Sequence, residues 1–339
     1  MTPRSVPVRT GLAAAAAALV AAAAWGDPVM PPPAPPGAAV RRVDRAPLMA
    51  AVRTLASAGF QGRRTGTPGA AAARRYLVRQ FEEAGVEPAF GRGYLQPFQA
   101  GRAAEGVNVA GLVRGTESAL GTIVVSAHYD HLGVRNGRLY PGADDNASGV
   151  AVLLAGARYF AAERPRHTMV FAAFDAEELM LAGAAAFMRA PPIPRDRLAF
   201  NLNLDMLSRS ERREIVAAGA FHAPWLLPIL QDIQRRSSVR IVPGRDRPGG
   251  APRGDWTGLS DHAVFHEAGV PFLYFGVEDH ADYHRPGDTA DRIDPAFLGD
   301  VADMVLEALV VLDRELAARA AGASGGREPF PRPTLRTGA

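Results

Sequence analysis

The chain of 339 residues contains no cysteine. That excludes disulfides, a thiol nucleophile, thiolate zinc sites and iron–sulfur clusters. Lysine is absent too, so all 38 basic residues are arginine. Without lysine there is neither a Schiff-base amine nor the lysine of a phosphate-binding loop. No sign of charge dominates, because 35 carboxylates offset the arginines to a formal net charge of +3. The arginines are scattered, so no nucleic-acid surface is indicated. What remains is globular composition, 47% apolar and 22% charged. That is too apolar for disorder and too charged for a multi-span membrane protein.

Both ends differ from the middle. Residues 1–26 carry Arg4 and Arg9, then a short apolar run from Leu12 to Ala24 with small residues at its end. This is the pattern of a secretory signal peptide. It implies an exported protein, periplasmic or extracellular, with no stable membrane insertion once the segment is removed. The run is too short for a comfortable span of roughly 20 residues. Residues 27–44 hold a proline-rich spacer, expected to be extended. Residues 321–339 form a Gly/Pro-rich tail without periodicity, expected to be disordered. Residues 45–320 are left as one folded domain.

That domain alternates helix and strand. Amphipathic helices are expected at 45–60 and 70–84, separated by the Gly/Pro turn GRRTGTPG. Strands are expected at 106–113, 122–128, 167–175, 198–206 and 271–277, and helices at 148–163, 181–189, 223–236 and 294–320. Near-continuous apolar strands between amphipathic helices predict a three-layer α/β/α sandwich with a mostly parallel, mixed central sheet. Loops 131–142 and 237–260 look long, and the second is a candidate rim or lid.

Ligands of such sheets bind beyond the carboxyl ends of the strands. There the sequence places His128-Tyr129-Asp130-His131, Asp175-Ala176-Glu177-Glu178, Asp205, and Asp279 to His284. GADDNASG, residues 142–149, adds two acids before a helix. Five segments deliver carboxylates and imidazoles to one edge, which argues for a metal site. Without sulfur, the donors suit zinc, manganese or cobalt. The acids are numerous enough for two ions about 3.5–4 Å apart. Glu177 and Glu178 leave the strand in different directions, so one can bind metal while the other stays free as a base.

The ordered set SAHYDHLG, PGADDNASGVA, FDAEELMLAG, NLDM, SDHAVFHEAGVP and DYHRPGDT resembles the co-catalytic dizinc aminopeptidases of clan MH, the aminopeptidase Y and bacterial secreted leucyl-aminopeptidase group. The resemblance spans about residues 45–320 and implies a zinc-dependent exopeptidase fold with two zinc ions per chain. It implies that His128 and Asp205 bind one zinc, that Glu178 and His284 bind the other, and that Asp145 bridges both. Glu177 matches the general base, and Asp130 the acid that orients the His128 ring. Tyr283 matches a phenol that steadies the oxyanion in some members. The implied substrates are peptides with a free N-terminus. Members often have glycine where this chain has Met180, serine where it has Ala184, and glycine near Ser208.

Other residues have plainer readings. Asp144 reads as a helix-start acid, His131 as a loop residue, and Asp261 and His262 as structural neighbours of the site. His280 reads as lining its loop, while His167, His222 and His266 read as surface or packing residues without acidic partners. Asp175 can be no more than a strand end, and Asp288 either supports His284 or caps a turn. Two other functions share the scaffold. One is a glutaminyl-cyclase-like acyltransferase, although such relatives typically carry Trp-His-Thr where this chain has Tyr283-His284-Arg285. The other is a non-catalytic binding protein, which should have lost ligands.

Overall fold

The computed structural model describes residues 28–35, 37–101, 104–248 and 254–323. The signal-like segment 1–26 and most of the tail lie outside the described residues. Seven helices are described: α1 (Arg45–Leu55), α2 (Pro68–Glu83), α3 (Gly149–Ala162), α4 (Ala182–Arg189), α5 (Leu226–Gln234), α6 (His262–Glu267) and α7 (Pro295–Ala323). The main sheet contains β1 (Glu87–Pro88), β2 (Leu95–Ala100), β3 (Ala104–Val113), β4 (Thr122–His128), β7 (Thr168–Phe174), β8 (Leu198–Leu204), β9 (Glu214–Ala218), β10 (Arg240–Pro243) and β11 (Phe272–Gly276). The short hairpin of β5 (Gly133–Arg135) and β6 (Arg138–Tyr140) lies within the loop expected at 131–142.

The sheet order is β1-β3-β7-β4-β8-β11-β9-β10, with β2 also on β3. Its centre, β7-β4-β8-β11, is parallel. Antiparallel pairs flank it, β3 on β7 at one side and β9 on β11 at the other. The sheet is therefore mixed around a parallel core. Alternation along each strand divides the core between two faces. Ile123, Val125 and Ala127 of β4 meet the apolar stripes of α1, α2, α3, α5 and α7. Val124 meets Phe174, with Phe187 of α4 and Phe265 of α6, on the other face. The result is the three-layer α/β/α sandwich expected, with the carboxyl ends of β4, β7 and β8 sharing one edge. No helix among the described residues is long and apolar enough to cross a membrane.

Several elements differ from expectation. The first helix stops at Leu55, and a 3₁₀ turn over Ala58–Arg63 follows. Strands β2, β9 and β10 were not expected. Strand β2 lies at the sheet edge with every other residue exposed and Pro97 inside it, which hides the apolar signal. Strands β9 and β10 are short and flanked by arginines. Helix α7 continues to Ala323, into the segment expected to be tail. The proline-rich spacer lies along the folded body. Ala34 N–H donates to the Ser237 carbonyl (2.8 Å) and Val40 N–H to that of Arg236 (3.0 Å). Arg42 then pairs with Glu307 of α7.

One buried pair ties α7 to the start of β7. Asp313 accepts the backbone N–H of Arg166 and of His167, both at 2.8 Å, and His167 Nδ1 lies 2.7 Å from its Oδ1. Burial favours the neutral acid, but these donors outweigh it and hold Asp313 below the ordinary carboxylate range. A depressed folded pKa stabilises the protein above the unfolded value of about 3.9, and the gain is lost as pH falls through the folded value. Asp313→Asn is expected to cost about 2 kcal/mol at pH 7. The difference from wild type should shrink below about pH 4, as urea midpoints at the two pH values would show.

Candidate metal centre

Tight turns at the sheet edge aim the functional side chains. Strand β4 ends at His128, and β7 ends just before Asp175. The chain then turns through Ala176 in a left-handed conformation (φ 58°) to present Glu177 and Glu178. Left-handed residues also follow Asp205, at Met206 (φ 59°), and occur at His284 itself (φ 55°). Such non-glycine conformations are costly and persist where surrounding structure fixes them. Gly142 (φ 58°) opens the turn that carries Asp144 and Asp145. A Cβ there would stand 2.6 Å from the His131 ring, so this turn requires glycine.

The structure brings the residues together in two groups that share one carboxylate. In the first group, His128 Nε2 lies 3.2 Å from Asp205 Oδ1 and 3.4 Å from Asp145 Oδ1. In the second, the other oxygen of Asp145 is 3.5 Å from His131 Nδ1, which is 2.9 Å from Glu178 Oε1. His284 Nε2 approaches the same two oxygens, at 3.1 Å from Asp145 and 3.4 Å from Glu178. Donors about 2.0–2.1 Å from a tetrahedral zinc stand roughly 3.3 Å from each other. The observed separations match that spacing. Asp145 Oδ2, Glu178 Oε1 and His131 Nδ1 have no partner in hydrogen-bond geometry. Their separations are those of donors that could share one ion. Nitrogen and carboxylate donors without sulfur fit zinc at both positions.

Charge on the bases follows from this crowding. Burial and the carboxylates of Asp205, Asp261 and Asp130 push Glu177 well above its ordinary range, with His128 opposing. Burial alone would raise Glu178 as well, but the His131 and His284 rings hold it below the ordinary range. Burial outweighs the His128 contact at Asp205 and raises it. The adjacent glutamates thus separate electrostatically. Glu178 favours the charge a cation needs, while Glu177 favours holding a proton.

The surrounding residues fix the loops. Asp130 Oδ1 accepts the Glu177 backbone N–H at 3.0 Å, while its carbonyl lies 3.3 Å from His128 Nδ1. One residue therefore couples His128 to the glutamate turn. Asp175 is more than a strand end. It accepts Thr65 and Tyr129 hydroxyls and the Val107 and Ala176 N–H groups, all within 2.8–2.9 Å. Asp288 neither supports His284 nor merely caps its turn, because its carboxylate takes the N–H groups of Asp144 and Asp145 at 3.0–3.1 Å. Asp144 Oδ1 is engaged by Ser148 and by the Ser208 hydroxyl and N–H. Tyr283 stacks on His284 with ring centroids 3.9 Å apart. Burial and the nearby carboxylates push its phenol up, so it stays a proton donor.

Some plain readings need correction. His131 is buried in the second group and is not a free loop residue. His167 has an acidic partner, Asp313, which lies 146 positions away in sequence. His262 donates from Nε2 to the Trp256 carbonyl (2.9 Å), the structural role expected. His222 packs against His266, their rings 4.4 Å apart. His280 reaches Asp144 at 3.4 Å from within its loop. Arg63 was overlooked. It is fully buried and donates to the carbonyls of Leu55, Tyr129, Pro141 and Gly142 at 2.7–2.8 Å. It thereby clamps the His128–His131 segment to the turn before Asp145. Its only sequence signal is its place within a Gly/Pro turn.

An α/β/α sheet edge with two metal-ligand groups joined by one aspartate defines the class of co-catalytic metallopeptidase scaffolds. Residues 108–309 match peptidase family M28, and the chain belongs to that family. It is 29% identical over 199 residues to aminopeptidase YwaD of Bacillus subtilis, covering 55% of this chain and 40% of YwaD. The chain thus spans about two fifths of that relative's length. Its fold superposes on BSAP, a zinc aminopeptidase from Bacillus subtilis, with a TM-score of 0.62 at 17% identity, over 79% of this chain and 95% of the other. It superposes as well on Porphyromonas gingivalis glutaminyl cyclase, with a TM-score of 0.64 at 19% identity, over 80% and 99% of the two chains. The fold alone therefore serves both chemistries.

The Met180 departure has a physical consequence. Met180 closes the glutamate turn at φ 63° and is 92% exposed, so its side chain contributes little packing. A left-handed residue with a Cβ costs roughly 1–2 kcal/mol, part of which glycine returns as chain entropy. Met180→Gly is expected to stabilise the protein by about 1 kcal/mol. A urea midpoint unchanged or lower in the variant would contradict this.

Proposed function

We propose that the chain is an exported zinc-dependent exopeptidase that removes N-terminal residues from peptides. The observation that carries this reading is Asp145, whose two oxygens face separate imidazole–carboxylate groups with Glu177 beside them. His128, Asp145 and Asp205 would hold one zinc, and Asp145, Glu178 and His284 the other. When bound, the pair supplies Lewis-acid polarisation of a carbonyl and acidification of water. Glu177 accepts the proton of the attacking water and returns it to the departing amine. Its raised proton affinity suits both steps. Asp130 holds Glu177 in place through the backbone N–H, and Tyr283 donates a hydrogen bond to the carbonyl oxygen as charge develops there.

The rest of the chain fits export. Residues 1–26 would act as the signal, and residues 45–323 as one catalytic domain against which the proline-rich segment before it packs. The relatives' names support peptide hydrolysis. Cyclisation is disfavoured by Tyr283-His284-Arg285 and by the presence of both ligand groups, and a purely binding role by the full set of ligands and base.

Glu177→Gln should keep its zinc and lose peptide hydrolysis by about 10²–10⁴-fold. Near-wild-type turnover in that variant would remove Glu177 as the base. Free aminoacyl substrates should be cleaved and N-acetylated ones spared, as parallel assays of the two would show. Equal cleavage of both sinks strict aminopeptidase recognition. Ring closure of N-terminal glutamine peptides without hydrolysis would favour the acyltransferase instead.

A further inference from the structure

We propose that His131 is a fourth protein ligand of the second metal position, beside Asp145, Glu178 and His284. This deepens the two-metal reading above and rests on it. The resemblance supplies one imidazole per ion, His128 and His284, and gives His131 no role. The structure places its ring inside the group.

Three observations converge. First, His131 is 1% exposed, and neither ring nitrogen has a partner in hydrogen-bond geometry. A buried imidazole left so is rare, and the deficit calls for a ligand. Second, its Nδ1 stands 2.9 Å from Glu178 and 3.5 Å from Asp145, while His284 Nε2 stands 3.4 and 3.1 Å from the same two oxygens. All four separations cluster near the roughly 3.3 Å edge of a zinc tetrahedron. Third, the ring lies against the turn that presents Asp145. Gly142 is left-handed, and a Cβ there would collide with the Asp145 carbonyl and stand 2.6 Å from the His131 ring, so the ring packs directly on the turn that carries Asp145. His131, Asp145 and Glu178 form one group of convergent donors, and His284 approaches its two oxygens, so the proposed second position has four candidate side-chain ligands. The first has three, His128, Asp145 and Asp205.

The competing role is a hydrogen-bonding neighbour that donates from Nδ1 to Glu178 without touching metal. Asparagine separates the two. Its amide places a hydrogen-bond donor near the Nδ1 position but is not a zinc ligand. Wild type, His131→Ala and His131→Asn are each loaded with zinc and titrated with a chelator, and bound zinc per chain is measured. Visible spectra of the cobalt-loaded proteins report ligand number independently. Far-UV circular dichroism of the zinc-stripped proteins checks folding, and His131→Asn decides if the alanine variant fails to fold. The expected result is two zinc ions in wild type, with one released at no less than about tenfold lower chelator strength in both variants and a changed cobalt spectrum. Wild-type zinc retention in His131→Asn overturns the ligand role. Fewer than two zinc ions in wild type overturns the two-metal reading itself.

Discussion

The structure depends on burying many carboxylates at one sheet edge. Asp130, Asp144, Asp145, Asp175, Asp205, Asp261 and Asp288 are all at most 9% exposed, and they arrive from six segments of chain. Each buried charge costs several kcal/mol unless it is paired and hydrogen-bonded. The fold meets this cost in three ways. Backbone N–H groups satisfy Asp130, Asp175 and Asp288. The Arg63 guanidinium adds a positive charge felt by Asp145, Asp288, Asp130 and Glu178, while its own donors go to four carbonyls. Imidazoles face Asp145, Asp205 and Glu178. Two divalent cations would complete the balance.

Much of this was legible in the sequence. Strands β7 and β11 are continuous apolar runs and β4 and β8 nearly so, because a sheet covered on both faces needs no surface alternation; the polar residues inside β4 and β8, Ser126, Asn201 and Asn203, bond to one another. Their carboxyl ends were therefore readable, and with them the clusters around His128, Glu177, Glu178, Asp205 and His284, while the choice of Asp145 and the division of roles came from the family resemblance. Edge strands carried no such signal, since β2 alternates and holds a proline. Residues defined only by distant partners were not legible either. Nothing local marks Arg63 as a clamp, Asp288 as the holder of the Asp144–Asp145 backbone, or Asp313 as the partner of His167. His131 was misread for a related reason, since it lies three positions after His128 and only the fold turns both rings inward.

Conformation at the edge opposes stability. Ala176, Met180, Leu181, Met206 and His284 all have positive φ, and all sit within the loops that present site residues. Regular strand or helix geometry would send these side chains along the sheet or into the core. The turns aim them beyond it. Hydrogen bonds to Asp130 and Asp175 and the apolar packing beneath hold the turns against their strain.

The two pairs of adjacent acids show how the fold assigns roles. Asp144 and Asp145 are chemically alike and equally buried. Asp144 Oδ1 takes the Ser148 and Ser208 donors, while its Oδ2 faces a single imidazole, His280, at 3.4 Å. Asp145 Oδ2 has no such donors and faces two imidazoles. Glu177 and Glu178 divide by the same rule, one among carboxylates and the other between histidines. A carboxylate that the fold saturates with its own donors is a structural brace. One whose two oxygens both face imidazoles, as in Asp145, is fit to take a cation at each side, and one raised by neighbouring acids is fit to take a proton.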